Sequence, residues 1–405
     1  MKYILLVGDG MADRPIEELG GRTVLEAAET PYMDKIAATG KIGLVKTVPE
    51  SMVPASDVAN LSILGYDPHK YYSGRGPLEA ANMGLELKDS QVAFRCNTVT
   101  IADGKMADYS AGHIKTNESS LLIKDVDRAL SNESIRFYPG ISYRHLMILD
   151  AGSKEKAEAF CRIKCAPPHD FVGKKITPRF PKGKGAKLLI ELMEKSRAVL
   201  EAHDINKVRI DLGENPANMI WLWGQGVKPG MPTFRERYGI GGAVISAVDL
   251  VNGLGKYMGL EIVKVPGVTG YYDTNFRGKG EYALAALDDK DFVYVHVEAP
   301  DEAGHNGDLR AKITAVENFD KLVVGTILDG LEGRHDFRIM LLPDHATPVS
   351  VRSHTEEPVP FAVCGKDIVP DNAQVFSERA AQTTGFNVTN GWKLMNYLVL
   401  LEKAD

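Results

Sequence analysis

Short apolar runs alternate along this chain with segments of helical period, and several of the runs stop at acidic residues. YILLVG (3–8) is followed by Asp9, FVYVHV (292–297) leads into PDEAGHNGD (300–308), and RIMLLP (338–343) is followed by Asp344 and His345. Apolar runs of this length without polar alternation fit strands buried on both faces, and such strands belong to parallel sheets wound by βαβ crossovers. The rhythm opens with YILLVG, VLEAAETPYMDKIAATG, IGLVKTV and PASDVANLSILG. It returns with MIWLWGQG, GAVISAVDLVNGLGKYMG, EIVKVPG, FVYVHV, RIMLLP and PFAVCG. Both ends of the chain therefore read as α/β.

The middle differs. VAFRCNTVTIADGKMADYS (92–110) reads as a polar hairpin with Asp103-Gly104 at its turn, and the long amphipathic stretch LLIELMEKSRAVLEAHDI (188–205) reads as a helix returning the chain to the core. A chain of 405 residues exceeds one typical hydrophobic core. The expected organisation is a core from 1–78 and 207–405, with a mostly parallel sheet flanked by helices, and an inserted α+β domain at 79–206. Before the long helix, GKKITPRFPKGKGAK (173–187) carries six lysines and arginines; it is either a solvated connection or a lid that attracts an anion.

A composition of 44% hydrophobic and 25% charged residues is that of a globular protein, and a net charge of −6 argues against a sequence-independent grip on nucleic acid. No apolar segment reaches the length that spans a bilayer, and the run in MKYILLVGDGMADR is too short for a signal-peptide core, so the expected location is cytoplasmic with no membrane partner. Cys96, Cys161, Cys165 and Cys364 form no CxxC pair; reduced thiols are expected. Cys161, Cys165 and His169 lack a fourth zinc ligand, and the spacing of the two cysteines fits one face of a helix.

In a mostly parallel sheet the carboxyl ends of the strands open onto one crevice, so Asp9, Asp301 and Asp344 should converge. Carboxylates gathered there repel and raise one another's pKa unless a cation lies between them. Asp301 and His305 are spaced for one side of a helical turn, with Gly304 between them permitting a close approach, and His354 in SVRSHTEEP can supply a further imidazole. Mixed imidazole and carboxylate suits manganese, zinc or cobalt better than magnesium. Ser56 in VPASDVANLSILG stands where a loop meets a helix. It is either an N-cap or a nucleophile facing backbone N–H groups and a bound metal. VGDGMADR lacks the third glycine of a dinucleotide fingerprint, and no GxxxxGK[ST] loop occurs, so no nucleotide is indicated. Arg75 in YYSGRGPLEA and His113 in YSAGHI read as residues of glycine-bearing loops from which a phosphate or carboxylate is within reach.

This set resembles the alkaline phosphatase superfamily: an Asp after the first strand, Ser-Asp opening a helix, DxxxH after a strand, Asp-His after another and a last His before PVPF. Within it, GDGMADRP, PASDVANLSILGYDP, GAVISAVDLVNGLGKYMGL, GVTGYYDTNF and VEAPDEAGHNGD resemble the archaeal-type phosphoglycerate mutases that need no 2,3-bisphosphoglycerate. The resemblance covers nearly the whole chain and is weakest from about 115 to 206. It implies two divalent ions, manganese first, with zinc, cobalt or magnesium as alternatives. One would be held by Asp9, Ser56, Asp344 and His345, the other by Asp301, His305 and His354. It also implies a phosphoserine at Ser56, phosphoglycerate as substrate, and an inserted domain that keeps water out. Relatives often carry Arg where this chain has His113. The alternatives are a phosphatase, a phosphotransferase acting on another small alcohol such as homoserine, and a non-enzymatic metal-binding protein. The oligomeric state is left open.

Overall fold

The computed structural model describes residues 1–402. The chain divides into two compact units, Met1–Tyr72 with Met231–Asp405, and Ser73–Gly230. The insertion is thus wider than the 79–206 drawn from the sequence. The first unit begins with strands β1 (Lys2–Gly8) and β2 (Gly40–Val45). The second holds β3 (Gln91–Ala102), β4 (Lys105–Asp108), β5 (Ile135–Tyr138), β6 (Arg144–Asp150) and β7 (Met219–Val227). The first then resumes with β8 (Gly242–Ile245), β9 (Glu261–Ile262), β10 (Phe292–Val297), β11 (Phe337–Leu342), β12 (Val359–Gly365) and β13 (Asn387–Val388).

The strand MIWLWGQG explains the wider insertion. As part of β7 it pairs antiparallel with β3, Cys96 facing Leu222, so the chain has not left the second unit at 207. The helix Ala186–Glu201 stays there too: its Leu189, Leu192 and Met193 pack in one core with Met147, Leu149, Ile220 and Leu222. This unit is a five-stranded antiparallel sheet in the order β4-β3-β6-β5, with β7 on β3. The β3–β4 turn falls at Asp103 (φ 48°) and Gly104 (φ 68°), two successive left-handed residues whose twist matches that of the flanking strands. In the basic stretch, Thr177–Arg179 forms one short helical turn and Lys182 bridges to Lys164.

The first unit holds an eight-stranded sheet in the order β13-β2-β12-β11-β1-β10-β8-β9. All neighbouring pairs are parallel except those of β12, which runs antiparallel to β11 and β2. The apolar runs are buried on both faces, as their lack of alternation requires. Ile4, Leu6, Val293, Val295, Ile339 and Leu341 share a core with Met33, Ile36, Ala283, Leu287 and Phe319 from the surrounding helices. Each large aliphatic side chain buried this way contributes about 1.5–3 kcal/mol before the entropy of ordering it. The central register places Gly8 beside Val297 and Val7 beside Leu342, so Asp9, Glu298 and Asp344 leave three adjacent strands at the same end. No helix among the described residues is long and apolar enough to cross a membrane.

Candidate metal centre

Asp9 and Asp344 meet because β1 and β11 are neighbours that stop together. The Asp344 carboxylate is fixed from three sides: Oδ1 accepts from the backbone N–H of Gly10 (3.2 Å) and His345 (3.0 Å), and Oδ2 accepts from the Asn60 amide (2.8 Å). Asn60 also donates to the Ser56 carbonyl (2.8 Å), and its own carbonyl accepts from the Tyr294 hydroxyl. One amide thereby ties the helix Ser56–Ile63 to the strand-end carboxylate.

Ser56 is the first residue inside that helix. The N-cap is Ala55, in extended backbone, and no side chain caps the helix. The capping role that the sequence leaves open for Ser56 is therefore not the one its hydroxyl plays. Ser56 Oγ instead lies 3.1 Å from His345 Nε2. His345 Nε2 is in turn 3.5 Å from Asp9 Oδ1 and 3.5 Å from Asp344 Oδ2.

A second group forms on the helix Ala299–Asn306, where Asp301 and His305 stand one turn apart. Asp301 Oδ2 lies 3.2 Å from His305 Nε2, and Asp301 Oδ1 lies 3.4 Å from His354 Nε2. The two Nε2 atoms are 2.9 Å apart. His354 stacks on His345 with ring centroids 3.9 Å apart, so the two groups adjoin. Gly304 permits this approach, since a Cβ there would come within 2.3 Å of the Thr347 carbonyl oxygen. Thr347 bridges the groups chemically: its hydroxyl donates to Asp301 Oδ1 and lies 3.2 Å from His345 Nδ1. A hydroxyl already donating to a carboxylate accepts from the imidazole, which puts the His345 proton on Nδ1 and leaves Nε2 free toward Ser56. The His305 ring is set in the same way by the Arg352 carbonyl, 3.1 Å from its Nδ1.

Burial, and after it the charges of Asp344, Asp301 and Glu298, push the Asp9 carboxyl well above the usual carboxylate range. The hydrogen bond to Asp301 is the largest influence raising His305, to about 9. Asp9 Oδ1 and His296 Nε2 are buried without a hydrogen-bond partner. Carboxylates crowded together, imidazoles aimed at them and unsatisfied buried acceptors are the donor set of divalent cations. The residues present fit such a cation: Asp301, His305 and His354 come within reach of a common ion, as do Asp9, Asp301 and His345. A third set, Asp9, His296 and Asp344, adds a histidine that strand-end reasoning passed over.

The structure brings Asp9, Ser56, Asp301, His305, Asp344, His345 and His354 together within the first unit. Arg75 and His113 belong to the second. Arg75 opens the helix Arg75–Asn82, not a loop, and its guanidinium lies 5.9 Å from the Trp223 ring, over which Arg95 sits at 4.5 Å. His113 is exposed with φ 50°, its ring edge-on to Tyr109 (6.5 Å) and Tyr143 (6.1 Å). The helix Lys154–Cys161 ends at Cys161, so Cys165 is not on the helical face expected for it. Asp308, in the stretch PDEAGHNGD, caps the helix Leu309–Asn318 through the Ala311 N–H (2.9 Å). Sequence reasoning missed Asn60, Thr347, His296, Glu298 and Lys279. The one available signal was FVYVHVE, where His296 and Glu298 share a face of an otherwise apolar strand.

A family model described as 2,3-bisphosphoglycerate-independent phosphoglycerate mutase matches residues 37–206. The chain is 52% identical over 401 residues to a Methanosarcina acetivorans protein named 2,3-bisphosphoglycerate-independent phosphoglycerate mutase, covering 98% of this chain and 100% of that one. It is 49% identical over 405 residues to a Geobacter sulfurreducens protein named as a probable enzyme of the same kind, covering 98% and 100%. Among solved structures, a Pyrococcus horikoshii protein aligns with TM-score 0.85 at 30% identity, covering 99% of this chain and 98% of that one. A cofactor-independent phosphoglycerate mutase from Thermoplasma acidophilum aligns with TM-score 0.69 at 26% identity, covering 99% and 100%.

Proposed function

The chain belongs to the 2,3-bisphosphoglycerate-independent phosphoglycerate mutase family, and from that membership we propose that it works through a phosphoserine at Ser56 beside two divalent metal ions. The reaction is the isomerisation of 3-phosphoglycerate and 2-phosphoglycerate, without 2,3-bisphosphoglycerate and in the cytoplasm. The observation that carries the mechanism is the Ser56 hydroxyl, free of any capping bond and 3.1 Å from the His345 nitrogen that faces both aspartates.

In this proposal Asp9, Ser56, Asp344 and His345 hold one ion and Asp301, His305 and His354 the other. Manganese is the proposed ion, with zinc, cobalt or magnesium as alternatives; the mixed donors suit the first three better than magnesium. The ions supply positive charge that favours the serine alkoxide and neutralises the phosphoryl oxygens. Ser56 Oγ gives up its proton and forms a bond to phosphorus as the bond to one substrate oxygen breaks, and that oxygen takes up a proton and leaves as the glycerate alcohol. Glycerate turns, its other hydroxyl gives up a proton and attacks the phosphoserine, and Ser56 Oγ departs and regains its proton. Atoms balance with no nucleotide and no net water. Water reaching the phosphoserine would turn the enzyme into a phosphatase, so the substrate must stay shielded. Arg75 and His113 are proposed to hold its carboxylate or phosphate.

The test is incubation of the manganese-loaded protein with 3-phosphoglycerate, with 2,3-bisphosphoglycerate absent. Formation of 2-phosphoglycerate without matching free phosphate is expected; phosphate as the only product would overturn the mutase assignment in favour of hydrolysis.

A further inference from the structure

Beneath Asp9 and Asp344 lies a buried chain of polar groups that the seven proposed ligands do not include. His296, the penultimate residue of β10, is fully buried, and so is Lys279 on the helix Phe276–Asp289; Glu298 is nearly so. Glu298 Oε2 accepts from Lys279 Nζ at 2.9 Å, and Oε1 accepts from Ser246 Oγ (3.0 Å) and the Ala247 N–H (2.9 Å). Lys279 Nζ also donates to the His296 carbonyl at 2.6 Å. Such a set of donors, one of them a buried ammonium, holds Glu298 as a carboxylate, which can only accept.

His296 Nδ1 is 3.2 Å from that same Oε1. The imidazole therefore carries its proton on Nδ1 and donates it to Glu298. The other nitrogen, Nε2, faces the crevice, 3.4 Å from Asp9 Oδ2 and 3.9 Å from Asp344 Oδ2. It makes no hydrogen bond although wholly buried, and Asp9 Oδ1 is in the same condition. A buried acceptor left without a hydrogen bond is costly, and here two lie in one small group. A carboxylate that orients a histidine through one nitrogen while the other addresses a metal is a recurrent arrangement in metalloproteins.

We infer that His296 Nε2 ligates the ion held by Asp9 and Asp344, with Glu298 and Lys279 as positioning residues that fix the imidazole in its ligating tautomer. The inference rests on the two-metal reading of the crevice and is independent of which alcohol accepts the phosphoryl group. One ligated ion satisfies both orphaned atoms. It also accounts for a buried lysine–glutamate pair next to carboxylates that already repel.

Cobalt titration against a competing chelator tests this in wild type, His296→Asn and Glu298→Gln, with the visible absorption of bound cobalt as the readout and the chelated protein's melting curve as the fold control. Two bound ions in wild type are expected. In His296→Asn, one ion should weaken while its absorption changes and the other ion's stays as in wild type. Glu298→Gln should weaken the same ion about 10–100-fold. An unchanged cobalt spectrum in folded His296→Asn overturns the assignment, whether or not affinity falls. His296→Gln serves by the same criterion if the asparagine variant does not fold. Fewer than two ions in wild type would instead overturn the two-metal reading itself.

Discussion

Gly304→Ala separates the packing of the site from its chemistry. The added Cβ would meet the Thr347 carbonyl oxygen at 2.3 Å, and Thr347 Cγ2 at 2.8 Å, where ordinary contact begins at 3.4 Å. A backbone oxygen cannot swing aside, so the helix Ala299–Asn306 and the segment carrying His345 and Thr347 must part by about 1 Å, an overpacking strain of about 1–3 kcal/mol. Against this, alanine in place of a helical glycine gains about 1 kcal/mol. The net loss of stability is thus about 0–2 kcal/mol, small beside that of a large domain. The chemical consequence is larger: Asp301 and His305 retreat from His345 and Ser56, and a misplacement of about 1 Å costs about 100-fold in rate. Urea denaturation would measure the first quantity and the rate of 2-phosphoglycerate formation at saturating manganese the second. A folded variant with wild-type turnover and wild-type metal affinity would refute the claim that this close approach aligns the two metal groups.

Further outcomes follow from the same geometry. Ser56→Ala removes one hydrogen bond and no helix cap, so urea denaturation should show a stability change within about 1 kcal/mol while mutase turnover is abolished. Thr347→Val leaves His345 Nδ1–H without its acceptor and takes the hydroxyl donor from Asp301 Oδ1; chelator competition should show metal affinity lowered about 10–100-fold. Substituting His113 or Arg75 by Ala should raise KM for phosphoglycerate with metal stoichiometry unchanged, as substrate titrations and elemental analysis would read. Burial holds His145 neutral, lowering it from 6.5 to about 3. The unfolded chain takes up that proton first, so this stability is complete above pH 6.5 and is lost as pH falls toward 3. The slope is about 1.4 kcal/mol per pH unit, and denaturation midpoints of His145→Asn should fall less steeply with acid than those of wild type.

The convergence of the proposed ligands was legible because a parallel sheet converts sequence position into spatial position: acids that follow buried runs end up side by side. Asp9, Asp301 and Asp344 needed no knowledge of loop conformation. The helix placed His305 one turn from Asp301 for the same reason of fixed period. Thr347 and Asn60 were not legible, because each acts by reaching across between elements, and nothing local distinguishes them from other polar loop or helix residues. Lys279 on its helix reads as an ordinary solvated lysine until its burial is seen. From sequence MIWLWGQG reads as a strand of the first unit because an apolar strand looks alike in either sheet; only its pairing with β3, more than a hundred residues earlier, puts it in the second. Ser56 was identified on the right boundary, but whether it capped the helix depended on one residue of register, settled by Ala55 in extended backbone.

The account stands most directly on a covalent bond at one oxygen. Manganese-loaded protein, mixed with phosphoglycerate and quenched in acid within a turnover, should carry one phosphoryl group, and peptide mass spectrometry should place it on Ser56. Ser56→Ala, treated identically, should carry none. Turnover of 3-phosphoglycerate to 2-phosphoglycerate with no phosphorylated serine at any quench time, or with the phosphoryl group on another residue, would contradict the mechanism.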